Sequence, residues 1–224
     1  MLVLAIDTST NVLSLALVQD GTVLACLDEP TKNNQSAILL TRIEILLTAN
    51  NFLTTDLTQI AVAIGPGSYT GIRVGVAAAK SLGYALGIPV QGVSSLAVMA
   101  KTIDAQTRVI IPMIDARRGT VFAAAYNQAG EVLIEEGHFD LVEFLAMLPC
   151  AGTNATFIGD GAQKNIDLLN EKLEFVLVIP ENELTTSKAV VLAELAHKQS
   201  CQKNIHELVP NYLRKTEAEM NVEG

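Results

Sequence analysis

Short apolar runs separated by polar turns fill the first hundred residues. Continuous or alternating apolar runs predict strands, and apolar positions three and four apart predict helices. Asp20-Gly21, between two such runs, is typical of a hairpin turn. The predicted order is β-β-β-α-β-α-β-α, with Ser36 as the cap of the first helix. The strands are 2–6, 12–18, 22–27, 59–64 and 89–93, and the helices are 36–49, 71–86 and 94–102.

The second half repeats this order weakly, without a repeat at the level of residues. Three strands, a helix, a strand, a helix, a strand and a final amphipathic helix are predicted. They are strands 108–114, 121–126, 131–136, 156–158 and 175–179 and helices 140–148, 165–173 and 187–201. The pattern predicts an α/β protein with a duplicated architecture and lobes at 1–104 and 105–224, divided in a polar gap near 104–107.

A glycine-rich loop lies between a buried strand and the long apolar helix that follows it. Gly65, Gly67 and Gly71 surround Ser68-Tyr69-Thr70, and Thr70 is the predicted N-cap of the helix. Such a loop suits a phosphate or carboxylate, but it also suits a tight strand-to-helix turn. It is not a Walker A loop, because Ile72-Arg73 replace the Lys-Ser/Thr pair. The spacing alone leaves both interpretations open.

The composition of the chain argues against several classes of protein. The net charge of −9 and pI near 4.8 argue against nucleic-acid binding by this chain alone, which requires a basic surface. No apolar run reaches the length of a membrane span, and the first strand is not a signal peptide. Cys26, Cys150 and Cys201 are widely spaced, which favours buried thiols in a reducing cytoplasm.

Four motifs in order resemble the TsaB (YeaZ) family of bacterial proteins. They are LVLAIDTST, GPGSYTGIRVG with IPVQGVSSL, VIIPMIDARRGTVFAAAY and VPNYLRK, and together they span most of the chain. The resemblance implies two ribonuclease-H-like lobes of the actin-like and sugar-kinase-like ATPase fold. It also implies a subunit that works with TsaD and the ATPase TsaE in transferring threonylcarbamoyl to adenosine 37 of tRNA, with tRNA contacted indirectly.

The same resemblance indicates where nucleotide phosphates would be contacted. These candidates lie in the turn after the first strand and in the glycine loop: Asp7, Thr8, Ser9, Gly65, Gly67, Ser68, Tyr69, Thr70, Gly71 and Arg73. For Asp7, hydrogen bonds within the polar turn are the favoured alternative. We expect no nucleotide on the chain alone, and ATP or ADP only in the complex.

No catalytic or metal-ligating residue is predicted. Catalytic relatives resemble GVNHLEGH where this chain has GVSSLAVM, so Ser95 and Met99 replace two metal-binding histidines. Gly159-Asp160-Gly161 is a weak candidate for a second phosphate-side turn. Asp115 with Arg117 and Arg118 is interpreted as a self-neutralising hairpin turn. A stand-alone kinase of the same fold or a glycoprotease-like peptidase remains the alternative function.

Small residues in the helix after the glycine loop predict a subunit contact, although packing on the sheet is the alternative. In the family, the helices of the first half face TsaD, or a second copy of the chain in a homodimer. The candidate partner-interface residues, on helices 36–49 and 71–86, are Ile38, Arg42, Gly75, Ala78, Ala79 and Gly83.

Overall fold

The computed structural model describes residues 1–31, 34–103, 107–148, 155–173, 176–179, 184–198 and 205–213. The chain forms two compact units. The first contains Met1–Ile103 and Leu184–Pro210, and the second contains the intervening segment with the residues after Pro210. None of the helices in these described ranges is long and apolar enough to cross a membrane.

The first unit is built on one mixed sheet with the strand order β3-β2-β1-β4-β5. β1 pairs antiparallel with β2 and parallel with β4, so strand direction reverses on the β2 side of β1 and is kept on the β4 side. The strands are β1 Leu2–Asp7, β2 Val12–Gln19, β3 Thr22–Pro30, β4 Gln59–Gly65 and β5 Val90–Ser94. The helices are α1 Gln35–Ala49, α2 Tyr69–Leu86, α3 Ser95–Ala100 and α7 Lys188–Lys198.

The sheet is apolar on both faces at β1, because successive side chains of a strand point to opposite sides and those of residues 2–6 in β1 are apolar on each side. Leu4 and Ile6 pack with residues of α1 and α2. Val3 and Ala5 pack with residues of α3 and α7. The central strand is therefore buried on both sides, which positions the polar turn after Asp7 at the edge of two helical layers.

The second unit has the order β10-β9-β6-β7-β8, the same topology as the first, which confirms the predicted duplication. β6 pairs antiparallel with β7 and parallel with β9. Its strands are β6 Val109–Arg117, β7 Thr120–Asn127, β8 Val132–Asp140, β9 Ala155–Ile158 and β10 Val176–Ile179. Its helices are α4 Leu141–Met147, α5 Asp160–Lys164 and α6 Ile166–Lys172.

Two predicted helix caps are wrong. Helix α1 begins at Gln35, and the residue before it, Asn34, makes no side-chain cap, so Ser36 lies inside the helix. Helix α2 begins at Tyr69 because the Ser68 side chain accepts a hydrogen bond from the Gly71 N–H, which makes Ser68 the cap instead of Thr70. Helix α5 was missed, since Gly-Asp-Gly indicated only a turn.

The predicted lobe limits differ from the two units at the C-terminal end. Residues 105–224 were expected to form the second lobe, but Leu184–Pro210 belongs to the first unit. The physical reason is that Ala189, Leu192 and Ala193 of α7 complete the core on one face of the first sheet. Cys150, Cys201 and the limit at residue 104 lie outside the described residues, and Cys26 is exposed rather than buried.

Candidate functional site

The turn after β1 is a buried polar structure. Asp7, Thr8 and Ser9 are at most 1 % exposed. The Asp7 Oδ1 atom accepts hydrogen bonds from the Ser9 N–H at 2.8 Å and the Ser9 hydroxyl at 2.6 Å. The other carboxylate oxygen, Oδ2, is buried and has no hydrogen-bond partner among the residues that the structure describes. An uncompensated buried carboxylate oxygen is costly, so this atom is where the turn could accept a further donor or a cation.

The glycine loop packs directly on this turn. A Cβ atom at Gly67 would lie less than 3.0 Å from the Ser9 carbonyl oxygen, and one at Gly71 would lie as close to the Thr8 carbonyl oxygen. The Thr8 hydroxyl donates to the Gly71 carbonyl oxygen at 2.7 Å. These glycines are therefore required by the close approach of two backbones, as in the predicted strand-to-helix turn.

Three N–H groups of the site have partners within the site. The Ser68 N–H donates to the Ser9 carbonyl oxygen at 2.7 Å, and the Gly71 N–H donates to the Ser68 hydroxyl at 3.2 Å. The Ser9 N–H donates to Asp7, as described above. Phosphate binding here would have to displace some of these bonds, and it stays a prediction for every candidate residue.

The outer rim of the loop carries the exposed candidates. Tyr69 is 47 % exposed, and Thr70 and Arg73 are also exposed. Arg73 donates to the Tyr69 hydroxyl at 3.0 Å, and its guanidinium lies 4.7 Å from the centre of the Tyr69 ring. Gly65, at the end of β4, has a φ of 107°, which a residue with a side chain rarely adopts. The rim therefore presents one aromatic ring and one cation to solvent.

A buried lysine beside the turn was missed by the sequence analysis. Lys188, the first residue of α7, is 3 % exposed, and its Nζ donates to the Thr10 hydroxyl at 2.6 Å. Gln35 of α1 donates to the Thr10 carbonyl oxygen at 2.7 Å. No local pattern could have indicated Lys188, because 178 residues separate it from Thr10. The structure thus adds a cation to the polar groups around the β1–β2 turn.

The second unit has a counterpart of this site, in which a lysine occupies the space between two carboxylates. Lys164 donates to Asp115 Oδ2 at 2.6 Å and to Asp160 Oδ2 at 3.2 Å. Burial acts to raise the pKa of Asp115, but the hydrogen bonds from Lys164 and the Arg117 N–H outweigh it and lower that pKa. The hydrogen bond to Asp115 raises the pKa of Lys164. The Asp115 N–H also donates to Asp160 Oδ1 at 3.1 Å, so the charged groups of this turn bind one another.

Ser95 and Met99 are both in the core of the first unit. They lie on α3 and are 2 % and 1 % exposed. Within the described ranges, the Ser95 hydroxyl has no hydrogen-bond partner. Among the residues that the structure describes, no group of three His, Cys, Asp or Glu side chains could hold a metal ion.

The partner-interface prediction is wrong for three of its residues. Gly75, Ala79 and Gly83 are buried within the unit. A Cβ at Gly75 would collide with the Thr8 hydroxyl, and one at Gly83 would collide with Val90 of β5. These small residues allow α2 to approach its own sheet. Ile38, Arg42 and Ala78 are partly exposed, and for them the prediction stands untested; Arg42 forms an ion pair with Glu29 at 2.5 Å.

Comparison with known proteins agrees with this architecture. The chain is 34% identical over 98% of its length to the tRNA threonylcarbamoyladenosine biosynthesis protein TsaB of Bacillus subtilis, covering 96% of that protein. It superimposes on YeaZ from Pseudomonas aeruginosa with a TM-score of 0.78 at 26% identity, covering 95% of this chain and 99% of that one.

More distant structures share only the fold. An activator of 2-hydroxyisocaproyl-CoA dehydratase from Clostridium difficile, solved with bound ADPNP, matches 88% of this chain and 95% of its own with a TM-score of 0.50 at 11% identity. This likeness supports the expected actin-like ATPase fold. A family model described as TsaD, tRNA N6-adenosine threonylcarbamoyltransferase, matches residues 29–222. With these matches and the two-lobed fold, the chain belongs to the TsaB (YeaZ) family within the wider group of threonylcarbamoyl-transfer proteins.

Proposed function

We propose that this chain is a non-catalytic subunit in the formation of threonylcarbamoyladenosine at position 37 of tRNA. It acts with a TsaD-type catalytic partner and a TsaE-type ATPase in the cytoplasm. Its relatives are named for this biosynthesis. The single observation that carries the non-catalytic role is the burial of Ser95 and Met99, which stand where the resemblance places metal-binding histidines.

The chemistry of the site supports this assignment. Met is a poor ligand for hard or borderline metal ions, and a lone Ser hydroxyl rarely binds them. A group transfer of this kind depends on charge stabilisation at the reacting atoms. In the described residues, Lys164 already forms ion pairs with Asp115 and Asp160, and the glycine loop is hydrogen-bonded to the β1–β2 turn.

The test is a modification assay with purified subunits, each omitted in turn. We expect no threonylcarbamoyladenosine without this chain and none with this chain alone, together with no stoichiometric iron or zinc by elemental analysis. Turnover by the isolated chain, or one tightly bound metal per chain, would support the stand-alone enzyme instead.

The nucleotide part of the proposal concerns Asp7. We expect ATP or ADP to bind only in the complex, because Oδ1 of Asp7 and the neighbouring N–H groups are already bonded within the free chain. Calorimetric titration of the isolated chain with ATP and Mg²⁺ should show no binding. Asp7→Asn removes the buried charge and should abolish binding in the complex, while Asp56→Asn, at an exposed site, should not.

The partner surface is proposed to be the outward face of α1 and α2. On α1, Leu40 is 60% exposed and Ile45 is 49% exposed, although both are apolar. The partner is TsaD, or a second copy of this chain in a homodimer when TsaD is absent. Leu40→Arg would place an unpaired charge in that contact, which typically costs several kcal/mol.

The matched control is Val142→Arg on α4 of the second unit, since Val142 is also an exposed apolar residue, at 52%. We expect Leu40→Arg to lose both associations by analytical ultracentrifugation while its circular dichroism is unchanged. If the Leu40→Arg variant associates with TsaD and with itself as strongly as the Val142→Arg variant does, the interface lies elsewhere.

A further inference from the structure

Two carboxylates of the second unit lie together where α5 begins against the end of β6. Asp160 is the first residue of α5, and Asp115 lies near the end of β6. A Cβ atom at Gly161 would lie 2.8 Å from the Ile114 carbonyl carbon and 2.9 Å from the Asp115 nitrogen, so this approach requires glycine. The close packing of two main chains therefore holds Asp160 beside Asp115.

The four oxygens of these carboxylates divide between backbone donors and one ammonium group. Asp115 Oδ1 accepts the Arg117 N–H at 2.9 Å, and Asp160 Oδ1 accepts the Asp115 N–H at 3.1 Å. Lys164 Nζ donates to both Oδ2 atoms, at 2.6 Å to Asp115 and at 3.2 Å to Asp160. The backbone thus orients both carboxylates toward one point, which a cationic group occupies.

A divalent cation uses the same kind of oxygen pair. Mg²⁺ commonly binds proteins through one or two carboxylates, completes its coordination with water and accompanies nucleotide phosphates. The Lys164 ammonium lies between the two Oδ2 atoms, where such an ion would bind. The residues of this turn therefore do not fit a divalent cation while Lys164 keeps its position.

The corresponding turn of the first unit has the same carboxylate arrangement. Asp7 Oδ1 accepts the Ser9 N–H, and Asp115 Oδ1 likewise accepts an N–H two residues later, that of Arg117. The second oxygens differ, because Asp115 Oδ2 binds Lys164 whereas Asp7 Oδ2 has no hydrogen-bond partner in the described part of the chain. The ammonium of Lys164 thus distinguishes the second turn from the first.

We propose that Lys164 is an internal counter-ion that excludes divalent cations, and the phosphate complexes they carry, from the β6–β7 turn. An ion that enters between the two carboxylates must displace the ammonium from hydrogen bonds in which both partners are ionised, and such bonds are the stronger kind. The Lys164 side chain is 58% exposed, so the ammonium and the ion compete for the same oxygens. This inference goes beyond the proposed function, because it concerns the isolated chain and does not depend on tRNA.

The experiment titrates the isolated chain with Mn²⁺ and measures the free ion by electron paramagnetic resonance. Lys164→Met should bind one Mn²⁺ about tenfold more tightly than the parent, because two partly exposed ion pairs no longer have to be broken. Mg²⁺ should compete for this site, and Asp160→Asn combined with Lys164→Met should lose the gain. The control is Lys172→Met, which removes an exposed lysine paired with the single carboxylate of Glu171, and it should bind Mn²⁺ as the parent does.

Arg117 and Arg118 remain in every variant, so their charges do not affect the comparison. Circular dichroism checks that each variant is folded, and Lys164→Gln replaces Lys164→Met if the latter unfolds. The inference is overturned if the parent binds Mn²⁺ as tightly as the Lys164 variant, or if Lys172→Met gains the same site. The modification assay is a separate measurement, so a chain that proves dispensable for modification would contradict the proposed function and leave the Mn²⁺ result standing.

Discussion

The substitution Gly71→Ala tests whether the glycine loop is built for its own packing. In the folded chain the added methyl group would lie under 3.0 Å from the Thr8 carbonyl oxygen and 2.9 Å from Gln35 Oε1, whereas ordinary contacts are 3.4–4 Å. The obstacle is main chain, so the first turn of α2 or the β1–β2 turn must move. Either movement strains the 2.7 Å bond from the Thr8 hydroxyl to the Gly71 carbonyl oxygen.

The expected magnitude is a loss of about 2–4 kcal/mol in the free energy of unfolding. Overpacking costs about 1–3 kcal/mol, and a buried polar group left without its partner costs about 1–3 kcal/mol. The higher helix propensity of alanine returns up to about 1 kcal/mol. Helix propensity alone thus predicts that Gly71→Ala raises the free energy of unfolding. The sign of the measured change therefore decides between the two explanations.

The assay is urea unfolding monitored by circular dichroism. The midpoints of the parent and the variant are compared with the dependence of the free energy on urea concentration held the same. The control is Ala77→Gly on the exposed side of the same helix, which should cost about 1 kcal/mol through propensity. A Gly71→Ala protein as stable as the parent, or more stable, would refute the reasoning, since the loop would then have room for a side chain without any ligand present.

Three further predictions concern single contacts. Thr8→Val should lower the free energy of unfolding by about 1–2 kcal/mol, because the Gly71 carbonyl oxygen loses a buried donor; thermal unfolding checks this, and an unchanged midpoint contradicts it. Because the pKa of Asp115 is lowered in the folded chain, this carboxylate contributes stability above its unfolded-state pKa, and that stability is lost as pH falls through the folded-state pKa. Lys164→Met should raise that pKa in an NMR titration, and an unmoved value would exclude Lys164 as its cause. Arg118→Asn should raise the melting temperature, since asparagine tolerates left-handed backbone better; a lower melting temperature would show that the arginine stabilises the turn.

Hydrophobic periodicity was sufficient to predict most elements, because each described strand has at least one face packed in a core. The small residues of α2 show where such reasoning stops. Gly71, Gly75, Ala79 and Gly83 are spaced four apart, so they form one stripe on the helix. Spacing reveals the stripe but not what covers it. In the structure, Thr8 and Val90 lie against it, which assigns the stripe to the sheet and leaves Leu40 on α1 as the stronger interface candidate.

The residues of the candidate site also fall into two groups, those that the local sequence reveals and those that only the fold reveals. The glycine loop and the Asp7 turn are local patterns, and both were found in the sequence. Lys188 and Gln35 reach the same turn from distant parts of the chain, and only the fold brings them together. The Ser68 cap was missed because two hydroxyl residues, Ser68 and Thr70, were both within reach of the helix start, and backbone geometry chose between them.

The return of α7 to the first sheet has a consequence for biosynthesis. Translation completes β5 about ninety residues before α7, so the sheet face of Val3, Ala5 and Ala16 lacks α7 in a nascent chain while Asp104–Glu183 of the second unit is being made. The first unit therefore cannot finish folding in the order in which it is synthesised. A nascent chain stalled before Lys188 exposes an apolar surface that is buried in the finished protein. We expect chaperones to bind this intermediate and proteases to cleave it.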